Sequence, residues 1–512
     1  MRSLSRDLIA ALALAFLVAP AGTAFAAWPH DAITHVPLAP PGVDQELGDM
    51  LADGAGGAYA VWTDKRGGTE DIYLQRVTAS GAIAPGWPAG GFQASTAIGK
   101  KLEPQLASDG SGGLYVVWAD YRAGLTNGDI WAQHVLANGT LAGGWPAGGL
   151  QVTALPVNER RVRICGDGGG GLFAAWEYDY STTDTDVYGA HVNFGGTVVF
   201  SQALNGNLSD SRQLAVAADG GGGYFVAYQD SSLAQRRVFA MHVSGTGVLI
   251  AGPLNLSTGP GSVKKQPHLV ADASGGIYAA WMDNYTFLSD FDIAISHLDT
   301  NLSPLSGFFG GYGTTQSPMA SVGADFSMIP DGSNGLILAW TTAAVSNHIY
   351  LAHYAPSGAS YTGASPVDVP IFSDYGVVPR IASDGSGGAL AAGWAYPSQE
   401  MVLRITSSGT VGLRWPWQGT MASSWSSPMF SNLVSDGAHG AIVAWSDGRN
   451  GGIPTGLTVY AQRIDLFGAL GNAEPTIVSI KDAPKDNGGN VRLIWNASYL
   501  DVDPTYEIGS YW

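Results

Sequence analysis

Three short strings in this chain set an aspartate two residues before an arginine: WTDKR (Trp62–Arg66), WADYR (Trp118–Arg122) and WSDGR (Trp445–Arg449). A carboxylate beside a guanidinium fork can grip an oxygen-rich ligand, the first accepting hydrogen bonds and the second donating them. Asp64, Arg66, Asp120, Arg122, Asp447 and Arg449 are therefore candidate ligand-binding residues. The same spacing at a strand end also lets the two side chains neutralise each other, and that plainer reading competes. A second set sits four residues ahead of a recurrent aspartate: Asp49, Gln105, Arg163, Ala215, His268, Ser327, Arg380 and Asn432. Seven of these eight are polar within otherwise apolar stretches, which marks Asp49, Gln105, Arg163, His268, Arg380 and Asn432 as further candidate contacts. Polar residues around a channel also simply bind water, and that reading stands beside the first.

Catalysis finds little support. The chain has no G-x-S-x-G elbow, H-E-x-x-H zinc motif or P-loop. No glutamate recurs at a repeated position that would offer a carboxylate pair for glycoside cleavage. A sialidase needs an arginine trio with a Tyr–Glu pair; Arg66, Arg163 and Arg380 could imitate the trio, but the pair has no visible place.

The elements that must position these residues are repeats. Eight aspartates open Gly-rich turns: Asp53, Asp109, Asp167, Asp219, Asp272, Asp331, Asp384 and Asp436, spaced 56, 58, 52, 53, 59, 53 and 52 residues apart. Nine residues after seven of them stands an aromatic, from Trp62 to Trp445; in the seventh repeat the offset is ten, at Trp394. Asp followed by Gly makes a tight hairpin turn, the carboxylate accepting backbone N–H groups. In the cleanest copy, Glu103–Thr153, a first strand at Pro104–Ser108 is followed by this turn, an apolar strand ending at Trp118, a polar loop, a strand around Trp131 and an outer strand near Gln151. Four strands in roughly 50 residues is a propeller blade, and eight anchors make eight blades. The fold class is all-β, an eight-bladed β-propeller over 31–470.

A third recurrent position, Arg76, His134, His191, His242, His297, His353, Arg404 and Arg463, holds five of the ten histidines. It falls on the third strand, roughly 10 Å out from the first, where blades diverge. These residues are expected to bond a turn or stack on an aromatic within each blade, not to share a metal ion.

The eighth repeat lacks an outer strand, while Asp31–Pro37 is a spare one resembling the others. It is expected to complete the last blade and close the ring, leaving no open edge. Residues 1–26 read as a signal peptide: Arg2 and Arg6, an apolar run, then Ala24-Phe25-Ala26. The mature chain is thus expected to be exported, secreted or at the cell surface, with no integral membrane segment. A net charge of −18 argues against nucleic acid. The same charge could attract cations, calcium being the usual one outside cells; no cofactor is otherwise indicated. The lone Cys165 is expected to be a buried, inert thiol.

The string W-x-D-x-R, then D-I-Y or D-I-W, then Q-R-V or Q-H-V resembles a family of secreted bacterial propeller proteins with tandem repeats. These often continue into fibronectin-like and sorting domains. The resemblance spans about 31–464, and it implies architecture more than activity. The tail, 474–512, resembles the opening of a fibronectin type III-like sandwich without its later strands. Together these features imply a monomeric, non-enzymatic propeller binding a glycan or protein ligand, or serving as a rigid module of a larger surface protein. The alternative is a carbohydrate-active enzyme, a hydrolase or lyase of sialidase-like kind, using the channel mouth.

Overall fold

The structure is a computed structural model. It describes residues 28–472 except 42–43, 207–208, 232–234, 259–262, 285–290, 306–313, 316–321, 343–347, 362–366, 373–378, 396–398, 426–427 and 451–455, together with tail strands Thr476–Asp482 and Val491–Asn496. The signal-peptide segment lies outside the described residues. Of the tail, the two strands pair antiparallel, with Ile477 opposite Trp495; the rest of the fibronectin-like stretch lies outside.

The described residues form eight antiparallel four-stranded sheets. Their innermost strands are Gln45–Ala52, Lys101–Ser108, Asn158–Gly166, Ser211–Ala218, Lys264–Ala271, Val322–Pro330, Arg380–Ser383 and Met429–Ser435. Each packs beside the next, and the last packs beside the first. The chain is an eight-bladed β-propeller. Second strands are sandwiched between neighbouring blades, so all seven residues of Leu114–Asp120 are buried. Core clusters accordingly span adjoining blades, as where Tyr59 and Val61 of blade 1 meet Val116 and Trp118 of blade 2. Such sheets cannot bury both faces alone, which is why the repeats must stack.

The turn aspartates do what their type suggests. Asp109 Oδ1 accepts the N–H groups of Ser111 (2.7 Å) and Gly113 (2.8 Å), and Asp219 treats Gly221 and Gly223 the same way. The other oxygen takes the recurrent third-strand side chain: Arg76 on Asp53 at 2.8 Å, His134 on Asp109 at 3.0 Å, His242 on Asp219 at 2.9 Å, Arg463 on Asp436 at 2.7 Å. The histidines are thus spent pairwise within each blade, as expected.

At seven of the eight junctions a side chain of one blade bonds a carbonyl in the turn after the third strand of the next. Four junctions use an indole: Trp28 to Ala79, Trp87 to Ala137, Trp145 to Phe194 and Trp415 to Leu466, at 2.9–3.2 Å. Three use the second histidine nitrogen: His191 to Gly245 (2.7 Å), His242 to Thr300 (2.7 Å) and His353 to Ser407 (3.0 Å).

The seam is closed by the N-terminal segment. Val36 pairs with Ala461 and Pro37 with Tyr460 on Thr458–Ile464. The closure extends further back than the strand itself. Fully buried Trp28 supplies blade 8 with the indole that Trp87 and Trp145 supply to blades 1 and 2.

Two expectations need refinement. The first strand of blade 2 begins at Lys101, not Pro104, because a bulge lets it continue past Glu103. In blade 7 Gly393, opposite Met401, holds the register position that the aromatic takes in the other blades, and Trp394 is the next residue. Cys165 is only half-buried, though burial of its sulfur pushes the thiol up to about 12, which leaves it unreactive.

Candidate functional site

The W-x-D-x-R loops follow the second strand of blades 8, 1 and 2, which adjoin across the seam. Each is a closed unit. Asp120, fully buried, accepts the Trp118 indole N–H at 2.9 Å and Arg122 Nε at 2.9 Å. Arg122 lies 3.5 Å over the Trp131 ring and donates to Gly148 O at 2.9 Å. Arg66 repeats this with Asp64, 4.0 Å over Tyr73 and 2.7 Å from Gly90 O. Arg449 pairs with Asp447, lies 3.9 Å over Tyr460 and donates to His35 Nδ1 at 2.7 Å. Burial, then the Arg449 charge, push His35 down to about 4, so its Nδ1 is free to accept. The D-I-Y/D-I-W residue is therefore the platform on which the arginine stacks. Gly91, at φ 85°, is needed beside it, since a Cβ there would meet Trp62 at 2.7 Å. The six loop residues are engaged within the fold; they brace the rim.

The second set is brought into one structural position. Asp49, Gln105, Arg163, Ala215, His268, Ser327, Arg380 and Asn432 stand opposite Val61, Val117, Ala175, Ala227, Ala280, Ala339, Ala392 and Ala444 on the second strands. They form one tier around the channel. Asp49 holds it together on one side, accepting Leu106 N at 3.0 Å and Asn432 Nδ2 at 3.3 Å. Burial pushes the Asp49 carboxyl up, against these hydrogen bonds and the more distant charges of Arg380 and Arg163.

A tier above it was not visible in the sequence. In blades 2, 3, 4, 5 and 8 the innermost strand bulges two residues ahead of the first tier, and the bulged residue has positive φ: Glu103 (58°), Arg161 (52°), Gln213 (57°), Gln266 (52°) and Phe430 (54°). None is glycine, so each carries backbone strain of about 1 kcal/mol or more. The strain is held by neighbours: Arg161 N donates to Glu103 Oε2 (2.7 Å), Gln213 N to Glu177 Oε1 (2.9 Å) and Gln266 N to Gln213 Oε1 (2.8 Å). Bulges of this kind re-aim side chains, and here they aim them into the mouth.

Between the innermost strands of blades 3, 4 and 5 lies a cavity of about 450 Å³, lined by residues including Arg161, Arg163, Gln213, Gln266, Pro267 and His268. Arg163 is exposed there, yet the surrounding wall crowds it enough to push its guanidinium down from the ordinary value. Its recorded hydrogen bond is to its own strand, Val162 O at 3.0 Å. Among the described residues neither Arg163 nor the exposed Arg380 has a carboxylate partner, whereas Arg66, Arg76, Arg122, Arg212, Arg404, Arg449 and Arg463 each have one. Arg161 shares Glu177 with Arg212, at 3.1 and 3.4 Å. Among the described residues no group of three His, Cys, Asp or Glu side chains is placed to hold a metal ion.

No family model matches the chain, and no curated protein matches it in sequence. Solved propeller-like structures resemble it in shape. An ulvan lyase, reported as a new family of polysaccharide lyase, is 12% identical with a TM-score of 0.39 over 73% of this chain and 94% of that one. The BP39L lectin from Burkholderia pseudomallei is 12% identical with a TM-score of 0.43 over 72% and 98%. The α-L-arabinofuranosidase Arb93A from Fusarium graminearum is 10% identical with a TM-score of 0.36 over 61% and 95%. At such identities and scores none of them lends its chemistry to this chain.

Proposed function

We propose that this protein is an exported, non-enzymatic propeller whose channel mouth binds a glycan or protein ligand at the cell surface, alone or as a rigid module of a larger surface protein. The observation that carries this reading is the cavity between blades 3, 4 and 5, into which the strained bulges turn Arg161, Gln213 and Gln266 beside Arg163. Strain kept at one strand position in five blades fits a preorganised binding surface. The W-x-D-x-R residues act in this reading by holding the rim.

A carbohydrate-active hydrolase or lyase at the same mouth is the second reading. The raised Asp49 carboxyl favours it, since an acid held above its ordinary range can donate a proton. The two part in one experiment: the mature ring is applied to a glycan array and to cell-surface extract, and retained material is assayed for cleavage. Retention without product, reduced by Gln213→Ala and Gln266→Ala but not by Arg66→Ala in a protein of unchanged fold, supports binding. Product that disappears in Asp49→Asn moves the assignment to the enzyme. Retention of nothing removes both.

A further inference from the structure

The unpaired guanidinium in the cavity says what kind of ligand it takes. Arginine cannot shed its proton, so Arg163 stays cationic however crowded its wall. Being exposed and without a carboxylate at ion-pair distance among the described residues, it leaves its fork open to an incoming anion. The nearby acids are already committed: Glu103 receives Arg161 N, Glu177 receives Arg161, Arg212 and Gln213 N, and Asp49 receives Leu106 N and Asn432. None has an ion pair with Arg163 among the described residues. Around it stand the side chains of Gln213 and Gln266, and an amide can both donate to and accept from a hydroxyl. Pro267 adds an apolar patch to the wall. Just past the second strand of blade 3, whose innermost strand lines the cavity, the Tyr180 ring is 52% exposed. A cavity of about 450 Å³ admits one or two sugar rings and excludes a folded surface.

We propose that the ligand at the channel mouth is an acidic oligosaccharide, its carboxylate or sulfate held by Arg163 with Arg161 beside it, and its hydroxyls by Gln213 and Gln266. This rests on the binding reading above and specifies its chemistry. The anion replaces the missing carboxylate partner, and guanidinium is suited to it because the two planar groups meet in paired hydrogen bonds. The exposed Tyr180 ring offers a face on which a further sugar unit stacks. The protein's overall charge of −18, with Glu103, Asp49 and Glu177 acting on Arg163 through space, makes the selection local: the anion has to seat on the guanidinium itself and is not drawn in by a broad positive field.

The test is calorimetric titration of the mature ring with an oligouronate, its carboxyl-reduced neutral counterpart, a sulfated oligosaccharide of similar length and an oligoglutamate peptide. We expect an acidic saccharide to bind at least tenfold more tightly than the neutral one, and added salt to weaken it. Arg163→Ala and, more conservatively, Arg163→Gln should each lower that affinity tenfold or more. Arg163 is solvent-exposed, and an unchanged melting temperature checks that the fold is kept. Equal binding of acidic and neutral saccharides, or binding that ignores both Arg163 variants, overturns the acidic ligand while leaving the mouth a binding site. Preference for the peptide overturns the saccharide. Binding of none of the four, together with an empty array, overturns the binding reading itself.

Discussion

The ring is closed in two different ways along its circumference. From blade 7 through 8, 1 and 2 to blade 3, each junction is sealed by a tryptophan whose indole reaches a turn carbonyl of the next blade. From blade 3 to 5, and from 6 to 7, the equivalent carbonyl is taken by a histidine already bonded to the turn aspartate. The same arc of tryptophans carries the three W-x-D-x-R braces. The histidine arc lacks them and carries the cavity. Large apolar wedges thus hold one side of the ring, and polar bridges hold the side that carries the cavity. A polar junction buries less apolar surface than a buried indole and so stabilises less.

The largest expected effect is at the seam. Trp28→Ala removes a fully buried indole and its bond to Ala79 O; we expect a loss of about 3–5 kcal/mol in denaturant unfolding. A loss below about 1 kcal/mol would show that the N-terminal strand alone closes the ring. Next comes Glu159, which marks the boundary between the arcs. In blades 1, 2 and 8 a buried, arginine-paired aspartate accepts the tryptophan indole; in blade 3 Glu159 accepts Trp176 Nε1 at 2.9 Å with no arginine on it. Burial pushes this carboxyl up to about 8. The folded state therefore keeps a proton that the unfolded chain gives up near 4.5, so stability falls as pH rises between the two. Glu159→Gln should abolish that slope and gain about 2 kcal/mol at pH 8, measured by unfolding at pH 5 and 8. A variant that keeps the slope would place its origin elsewhere.

Smaller effects separate the arcs by donor. His242→Ala should cost about 2 kcal/mol, because Asp219 and Thr300 O both lose a partner. His242→Arg should restore most of it, since Arg76 bridges Asp53 and Ala137 O in blade 1. If the arginine variant is as weak as alanine, the bridge is specific to imidazole. The smallest effect is the response of each bridge to acid. Hydrogen bonds from His191, His242 and His353 and from the turn N–H groups outweigh burial and hold Asp167, Asp219 and Asp331 below their ordinary value. Their contribution is complete above about pH 4 and is lost as pH falls through the depressed values. Hydrogen exchange at pH 3 should therefore rise in the turns of blades 3, 4 and 6, and in that of blade 7, where Asp384 is likewise held low. Uniform exchange around the ring would show that these carboxylates do not set the response to acid.

Much of this organisation was legible beforehand because turn chemistry is local. An aspartate before glycine specifies its own hairpin, so eight anchors gave eight blades and the tier four residues ahead of them. The spare strand could be matched to the missing one. The Trp28-Pro29 pair repeats Trp87-Pro88, Trp145-Pro146 and Trp415-Pro416, and reading it would have extended the seam to its true start. The bulge tier was hidden for a physical reason. Glutamate, arginine, glutamine and phenylalanine carry no signature for positive φ, and the contacts that hold them there come from the neighbouring blade. The braces show the converse limit: Asp64–Arg66 and its counterparts are conspicuous in sequence, and their side chains are turned to each other and to an aromatic.

The most direct measurement is a crystal structure of the mature ring soaked with the saccharide that binds most tightly. The account requires ligand density between the innermost strands of blades 3, 4 and 5, with an anionic group on Arg163 and hydroxyls on Gln213 and Gln266. Density seated instead on the Arg66, Arg122 and Arg449 loops, with the cavity holding only water, would contradict it.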